Sequence, residues 1–326
     1  MWPCSWHYRG IVHAITHGVS EVDVNEILPA AQPGLIEEPG RAAHYLEMTL
    51  TAPMQPQAVL AALKAALEPL AGAYIAVCFG ADAWDQLNPQ WRPQNLQPFT
   101  ELKGENGYTM PATQSDLFFW IHGEDQGDVM DAVLQVHNAM ADVASCVLDL
   151  AGFKNREARD LTGFVDGTGN PKGDKRLDAA QIPAGAAGAG GSYVLTQKWQ
   201  HHLRDFNKLS VHEQQQVIGR TKTDNIELEG DDMPPTSHVS RTDVKIDGVG
   251  QKIYRRSTPY GGADDHGLYF LAFACDLSRI TIQLDRMLGN TGDGYSDHLM
   301  KYSTPKTGGY WFMPSQSDLE ALLARG

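Results

Sequence analysis

The chain has 326 residues, 42% of them apolar, and 26 Lys plus Arg against 40 Asp plus Glu give it a net charge of −14. That length is a prior for one large domain or about two ordinary ones, with enough chain to bury a substantial core. The acidic balance opposes nucleic-acid phosphates and anionic membranes, so neither is expected as a partner, whereas a small uncharged substrate or a cofactor in a local pocket is compatible with it.

Residues 1–40 lack clear periodicity and end in the turn-rich LPAAQPGLIEEPG, so they read as an N-terminal extension. Their start, MWPCSWHYRGIVHAITHG, has neither the basic opening nor the apolar run of a secretion signal. No stretch of the chain approaches the roughly 20 apolar residues of a membrane helix. The cysteines Cys4, Cys78, Cys146 and Cys275 are scattered without a C-x-x-C. They predict free thiols in a reducing compartment, and the expected location is the cytoplasm.

Regular patterns begin at Ala42. Strands are predicted over 42–50, 71–80, 116–123 and 146–153, and helices over 56–70 and 128–144. The first helix has Val59, Leu60, Leu63, Ala66 and Leu67 on one face, and a polar, Pro-rich loop fills 85–112. The order strand, helix, strand, strand, helix, strand is the ferredoxin-like pattern, an α+β arrangement of an antiparallel sheet with helices on its outer face. It predicts a unit over 41–158. In 159–326 strands are predicted at 192–200, 267–276 and 308–314, and helices at 210–220 and 277–288, so a second unit of similar make is expected. Ser210 and Glu213 have capping-box spacing. The stretch 221–266 shows little pattern, and loops that long are usually functional or disordered. It holds His238, Arg241, Arg255 and Arg256, which favours function.

Several signatures fail. GAGGSY within 185–193 has Tyr193 at the third glycine of G-x-G-x-x-G and precedes a strand. HEQQQ (212–216) lacks the second histidine of a zincin, and there is no Walker A or G-x-S-x-G. Three residues remain. Asp166 sits in LTGFVDGTGNP (161–171), between an apolar run and a Gly- and Pro-rich turn. His238 sits in MPPTSHVSRTD (233–243), and Arg255 in KIYRRSTPYGG (252–262). Each has a plain reading: an Asx-turn or helix cap, a loop histidine capping a carbonyl, and one arginine of a surface pair. Together they support one chemistry. A neutral histidine is the usual proximal ligand of haem iron. Cleaving the O–O bond of a peroxide then needs a base to move a proton and a fixed cation to stabilise developing charge. Burial raises the pKa of a carboxylate and a nearby guanidinium lowers it, so Asp166 beside Arg255 is expected to stay ionised.

GFVDG (163–167), followed by T-x-N-P, resembles the signature of the dye-decolourising peroxidases. GGSYVLTQKWQHHL (190–203), SVHEQQQVIGRTK (210–222), TSHVSRTD (236–243), RRSTPYG (255–261), GLYFLAFA (267–274) and TGGYWF (307–312) resemble its bacterial B-type branch. The resemblance runs from about residue 42 to about 316. It implies two ferredoxin-like units side by side, with haem b in the C-terminal one. The implied activity is reduction of hydrogen peroxide and one-electron oxidation of organic donors such as dyes and phenols, in a homo-oligomer. His238 matches the iron ligand, Asp166 and Arg255 the distal aspartate and arginine, and Ser257 a small polar distal residue. Asp297, in YSDHLMKYS, matches the acid that accepts a hydrogen bond from the proximal imidazole, although a helix cap is its plain reading. Arg241, three residues after His238, is expected on charge and proximity to meet a haem propionate. Bulky dyes would need surface aromatics to relay electrons, with Trp199, Tyr254, Tyr260 and Trp311 as candidates. Position 169 is Gly where the motif often has Glu, and no family counterpart of residues 1–40 is recognised from the sequence. A haem-handling protein, for storage, delivery or iron release, is the alternative; it would keep His238 without requiring Asp166 and Arg255 together. The chain ends SQSDLEALLARG, without the targeting tail expected of nanocompartment cargo.

Overall fold

A computed structural model describes residues 28–326. Most of the expected N-terminal extension, residues 1–27 with Cys4, lies outside the described residues. The first half supplies β1 (Ala42–Leu50), α1 (Pro56–Ala66), β2 (Ala73–Phe79), β3 (Leu117–Gly123), α2 (Gln126–Met140) and β4 (Ala144–Phe153). The second supplies β5 (Ser192–His201), α3 (Val211–Ile218), α4 (His238–Thr242), β6 (Tyr254–Arg255), β7 (Thr258–Gly261) and β8 (His266–Ala274). It continues with α5 (Ser278–Leu288), β9 (Ser303–Pro305), β10 (Gly309–Met313) and α6 (Gln316–Leu323).

Pairing runs β8–β7–β4–β1–β3–β2–β10–β5, and β5 pairs back onto β8, so the antiparallel sheet closes into a barrel. β6 and β9 attach outside the ring, to β8 and β5. The two halves meet at narrow seams, Tyr260 opposite Gly152 and Phe312 opposite Phe79. Alternation along each strand then sorts side chains to two sides. Tyr45, Phe118, Trp120, Tyr269, Phe273 and Trp311 fill the interior. Leu46, Met48, Val77, Phe119 and Ile121 face outward under Leu60 and Leu63 of α1 and Val129, Val133 and Val136 of α2. Each such side chain contributes about 1.5–3 kcal/mol by leaving water. α1 starts at a proline, which is suited to a first helical position, and α2 starts after Asp125, whose carboxylate accepts from the amides of Gly127 and Asp128.

The long predicted elements are present, and α3 carries the Ser210–Glu213 capping box in full. The differences fall where segments are short. Residues 28–40 pack onto the body: Gln32 is buried and its side-chain amide bonds the backbone of Val77 and Pro314. The loop 85–112 overlaps the end of a helix, Ala81–Leu87, and contains a two-residue hairpin. The stretch 221–266 holds α4, β6 and β7, which are too short for periodicity to reveal. The terminal SQSDLEALLARG forms α6, capped by Ser315 and buried through Leu319 and Leu322. No helix among the described residues is long and apolar enough to cross a membrane.

Candidate active site

The LTGFVDGTGNP turn is fastened at several points. Gly163 and Gly167 take φ of 88° and 76°, a region that disfavours other residues. The amide of Asp166 donates to Ala158 O at 2.9 Å, and Val165 bridges to Arg159. Beneath the turn, Asp160 accepts from the amide and hydroxyl of Thr162 and sits 3.0 Å from His201 Nε2. His201 Nδ1 is in turn 2.8 Å from Ser303 Oγ. Burial alone would raise the pKa of Asp160, but the His201 charge and these hydrogen bonds bring it below its ordinary value. A buried anion therefore ties the turn to β5 and β9.

Asp166 is different. It faces an internal cavity, and burial raises its pKa; the Arg255 charge opposes that shift, and Asp160 reinforces it. Desolvation outweighs the guanidinium, so the net shift of Asp166 is upward. Arg255 is gripped by Asn170 of the same turn. Asn170 Oδ1 accepts from the Arg255 amide at 3.0 Å and from its Nε at 3.4 Å, and Asn170 Nδ2 donates to Arg255 O at 2.9 Å. The T-x-N-P pattern contained this residue, but nothing in sequence indicated its partner.

His238 opens α4, after Ser237 as N-cap. Its Nδ1 lies 2.6 Å from Asp297 Oδ2. The second oxygen of Asp297 accepts from Leu299 N at 2.8 Å, so this fully buried acid is both helix cap and imidazole partner. His238, Asp166 and Arg255 all line two adjoining cavities of about 140 and 90 Å³. The smaller is walled by Leu195, Trp199, Leu268, Phe270, Leu284 and Met287, between β5, β8 and α5. Gln197 shares this wall, and its buried Nε2 has no partner among the described residues.

Two further candidates are held by other groups. Arg241 is buried and held by several partners: Nη1 and Nη2 grip Asp293 at 2.7 and 3.2 Å, Nη2 also reaches Thr291, and Nε donates to Arg286 O. Those hydrogen bonds bring Asp293 down to about 2. Arg241 thus anchors α4 to α5 through four of its five N–H groups. Ser257 lines a separate cavity that reaches Asp166 and Arg255 from the side of Glu38 and Gly40, and its Oγ accepts from Leu271 N. The proposed surface relays are also corrected. Trp199, Tyr254, Tyr260 and Trp311 are all buried, at 8%, 3%, 1% and 0% exposure.

A carboxylate-backed imidazole facing, across an apolar cavity, an aspartate and a clamped arginine is the equipment of a peroxidase-type oxidoreductase. Patterns of the Dyp-type peroxidase N-terminal and C-terminal regions match residues 32–154 and 157–318. The dye-decolorizing peroxidase of Mycobacterium tuberculosis is 39% identical over 249 residues, 74% of this chain and 73% of that protein. That of Rhodococcus erythropolis is 35% identical over 77% of this chain and 75% of its own. Among solved structures, a dye-decolorizing protein from Vibrio cholerae superposes with a TM-score of 0.82 at 35% identity, covering 89% of this chain and 99% of that one. A variant of DypB from Rhodococcus jostii in complex with heme gives 0.81 at 33% identity, covering 87% and 96%. The chain belongs to the Dyp-type peroxidase family, and its fold is the mixed α and β, barrel-like fold of those structures.

Proposed function

We propose that the cavity shared by His238, Asp166 and Arg255 holds haem b, and that the chain reduces hydrogen peroxide there while oxidising organic donors such as dyes and phenols one electron at a time. The carrying observation is that one cavity brings together an imidazole committed through Nδ1 to Asp297 and, with it, an acid and a guanidinium. The donor set fits the cofactor. Apolar walls suit a macrocycle, and the unpartnered Gln197 Nε2 can donate to a polar edge. Among the described residues no cluster of three His, Cys, Asp or Glu could hold a bare ion; a single imidazole suits iron already held in a chelate.

When bound, haem supplies the redox-active iron. Asp297 fixes the tautomer of His238, presents its Nε2 as the ligand and makes the ring more electron-rich. The Asp166 carboxylate takes a proton from one peroxide oxygen and returns it to the other, which leaves as water. The Arg255 guanidinium, aimed by Asn170, stabilises the negative charge developing on that oxygen. Ser257 serves the adjoining approach to the pair.

We carry over the finer reading from the resemblance. The chain is of the B-type branch and acts as a cytoplasmic homo-oligomer; free Cys78, Cys146 and Cys275 support a reducing compartment. It is built from two ferredoxin-like units, 41–158 and 159–326; the narrow seams support that division. The test is rapid mixing of haem-loaded protein with hydrogen peroxide while following the haem absorption band. Wild type is expected to respond rapidly, and Asp166→Ala or Arg255→Ala to be slower by about 100-fold or more. A wild type that binds haem but shows no peroxide-dependent change overturns the reading.

A further inference from the structure

Inside the barrel lies a carboxylate that this chemistry does not use. Glu47, on β1, is 2% exposed. Its Oε1 accepts from Tyr269 Oη at 2.7 Å and from Thr196 Oγ1 at 3.3 Å. Trp311 Nε1 in turn donates to Thr196 Oγ1 at 2.9 Å. No cation is among the groups acting on Glu47, and burial, outweighing both hydrogen bonds, puts its pKa at about 7. A glutamine could accept the same two hydrogen bonds without the cost of burying a charge. An acid in that position has one property the amide lacks, the ability to take up and release a proton near neutral pH.

The phenol it contacts is well placed to use that property. The Tyr269 ring stacks on Tyr45 with centroids 4.0 Å apart and planes at 21°, and both residues are fully buried. Tyr45 Oη is 2.8 Å from Thr258 Oγ1, and Thr258 lines the cavity that reaches Asp166 and Arg255. The charge of Asp166 is felt at Tyr45. An aromatic column therefore runs from the reacting side of the site to a buried base. A phenol gives up an electron readily only when its proton can leave with it, and a base at hydrogen-bond distance provides that exit.

We propose that Tyr269 is a buried one-electron relay, with Glu47 as its proton acceptor and Tyr45 as its link to the peroxide site. This rests on the peroxidase reading above, which supplies the oxidant. One electron leaves Tyr269 towards the site oxidised by peroxide. Its phenolic proton moves to Glu47 Oε1, breaking the O–H bond of Tyr269 and forming one on Glu47. A neutral tyrosyl radical and a neutral glutamic acid result. An electron from the organic donor and return of the same proton restore both residues.

The experiment is paramagnetic resonance of haem-loaded protein mixed with hydrogen peroxide, without donor, and frozen at once, with peroxide loss measured in the same samples. Wild type is expected to give a tyrosyl signal that narrows with ring-deuterated tyrosine. In deuterated water that signal should show one strongly coupled exchangeable deuteron, that of the Glu47 hydrogen bond. Tyr269→Phe should cut the signal at least tenfold, and Glu47→Gln, which keeps the shape but removes the base, severalfold. Peroxide loss without a tyrosyl signal, or with a signal undiminished in Tyr269→Phe, overturns the relay and leaves the peroxidase reading standing. A signal without the exchangeable deuteron, or unchanged in Glu47→Gln, removes Glu47 from it. No peroxide loss in wild type overturns both readings. The deuteron measurement needs only wild type, so poor folding of a variant does not block the decision.

Discussion

On the first half of the barrel, α1 and α2 press Leu60, Leu63, Val129 and Val133 onto the outward side chains of β1, β2 and β3 and leave that face filled. On the second half, the outward side chains of β5 and β8, Leu195, Trp199, Leu268 and Phe270, face α5 across a cavity. The sheet chemistry is alike; the difference lies in how the covering helix is held. The Arg241–Asp293 pair and the reciprocal bonds from the Arg241 and Arg286 side chains to each other's carbonyl oxygen tie α5 to α4. One half is thus filled, and the other keeps space beside His238, Asp166 and Arg255.

The contrast can be broken most completely at His238. His238→Ala should leave protein, expressed with haem supplied, without a haem absorption band, while its melting matches that of haem-free wild type. Next comes the filled half. Leu63→Ala should cost about 2–5 kcal/mol by urea unfolding, with haem affinity unchanged. Leu284→Ala, which borders existing space, should cost less than about 2 kcal/mol in haem-free protein. Equal costs at the two positions would erase the distinction.

The barrel interior gives a pH effect. Glu47 ionises at about 7 when folded, against 4.5 ordinarily. Below 4.5 folded and unfolded chains both hold its proton. As pH rises towards 7 the unfolded chain ionises first, so stability falls, by up to about 3 kcal/mol at ~1.36 kcal/mol per unit. Urea unfolding of haem-free protein at pH 5 and pH 8 should show this loss in wild type and its absence in Glu47→Gln. The smallest effect belongs to Asp166. Because burial raises its pKa, its proton is held at higher pH than an ordinary aspartate would hold it. The peroxide reaction rate should therefore fall about tenfold per pH unit below that raised value, and the acid limb should be absent from the residual rate of Asp166→Ala. An unchanged acid limb in the variant would assign the titration to another group.

Much of this was legible in one dimension. Helices and strands of nine or more residues announce themselves by period, because a repeating apolar face is a local property of the chain. The candidates Asp166, His238 and Arg255 stood out in the sequence too, and the structure brings all three to the same cavities. Asp297 was ambiguous between cap and imidazole partner, and the structure gives it both roles, one per oxygen.

What the sequence alone determined was the long elements and a short set of candidate side chains. Tertiary structure decided the closure of the barrel, the hollow under α5, the capture of Arg241 by Asp293, the clamp of Asn170 on Arg255 and the burial of the expected relay aromatics. It also decided the sign of the Asp166 shift. The reason is physical: periodicity is set by neighbours in the chain, whereas the partner of a charge, its solvation and the space beside it depend on which distant residues arrive there.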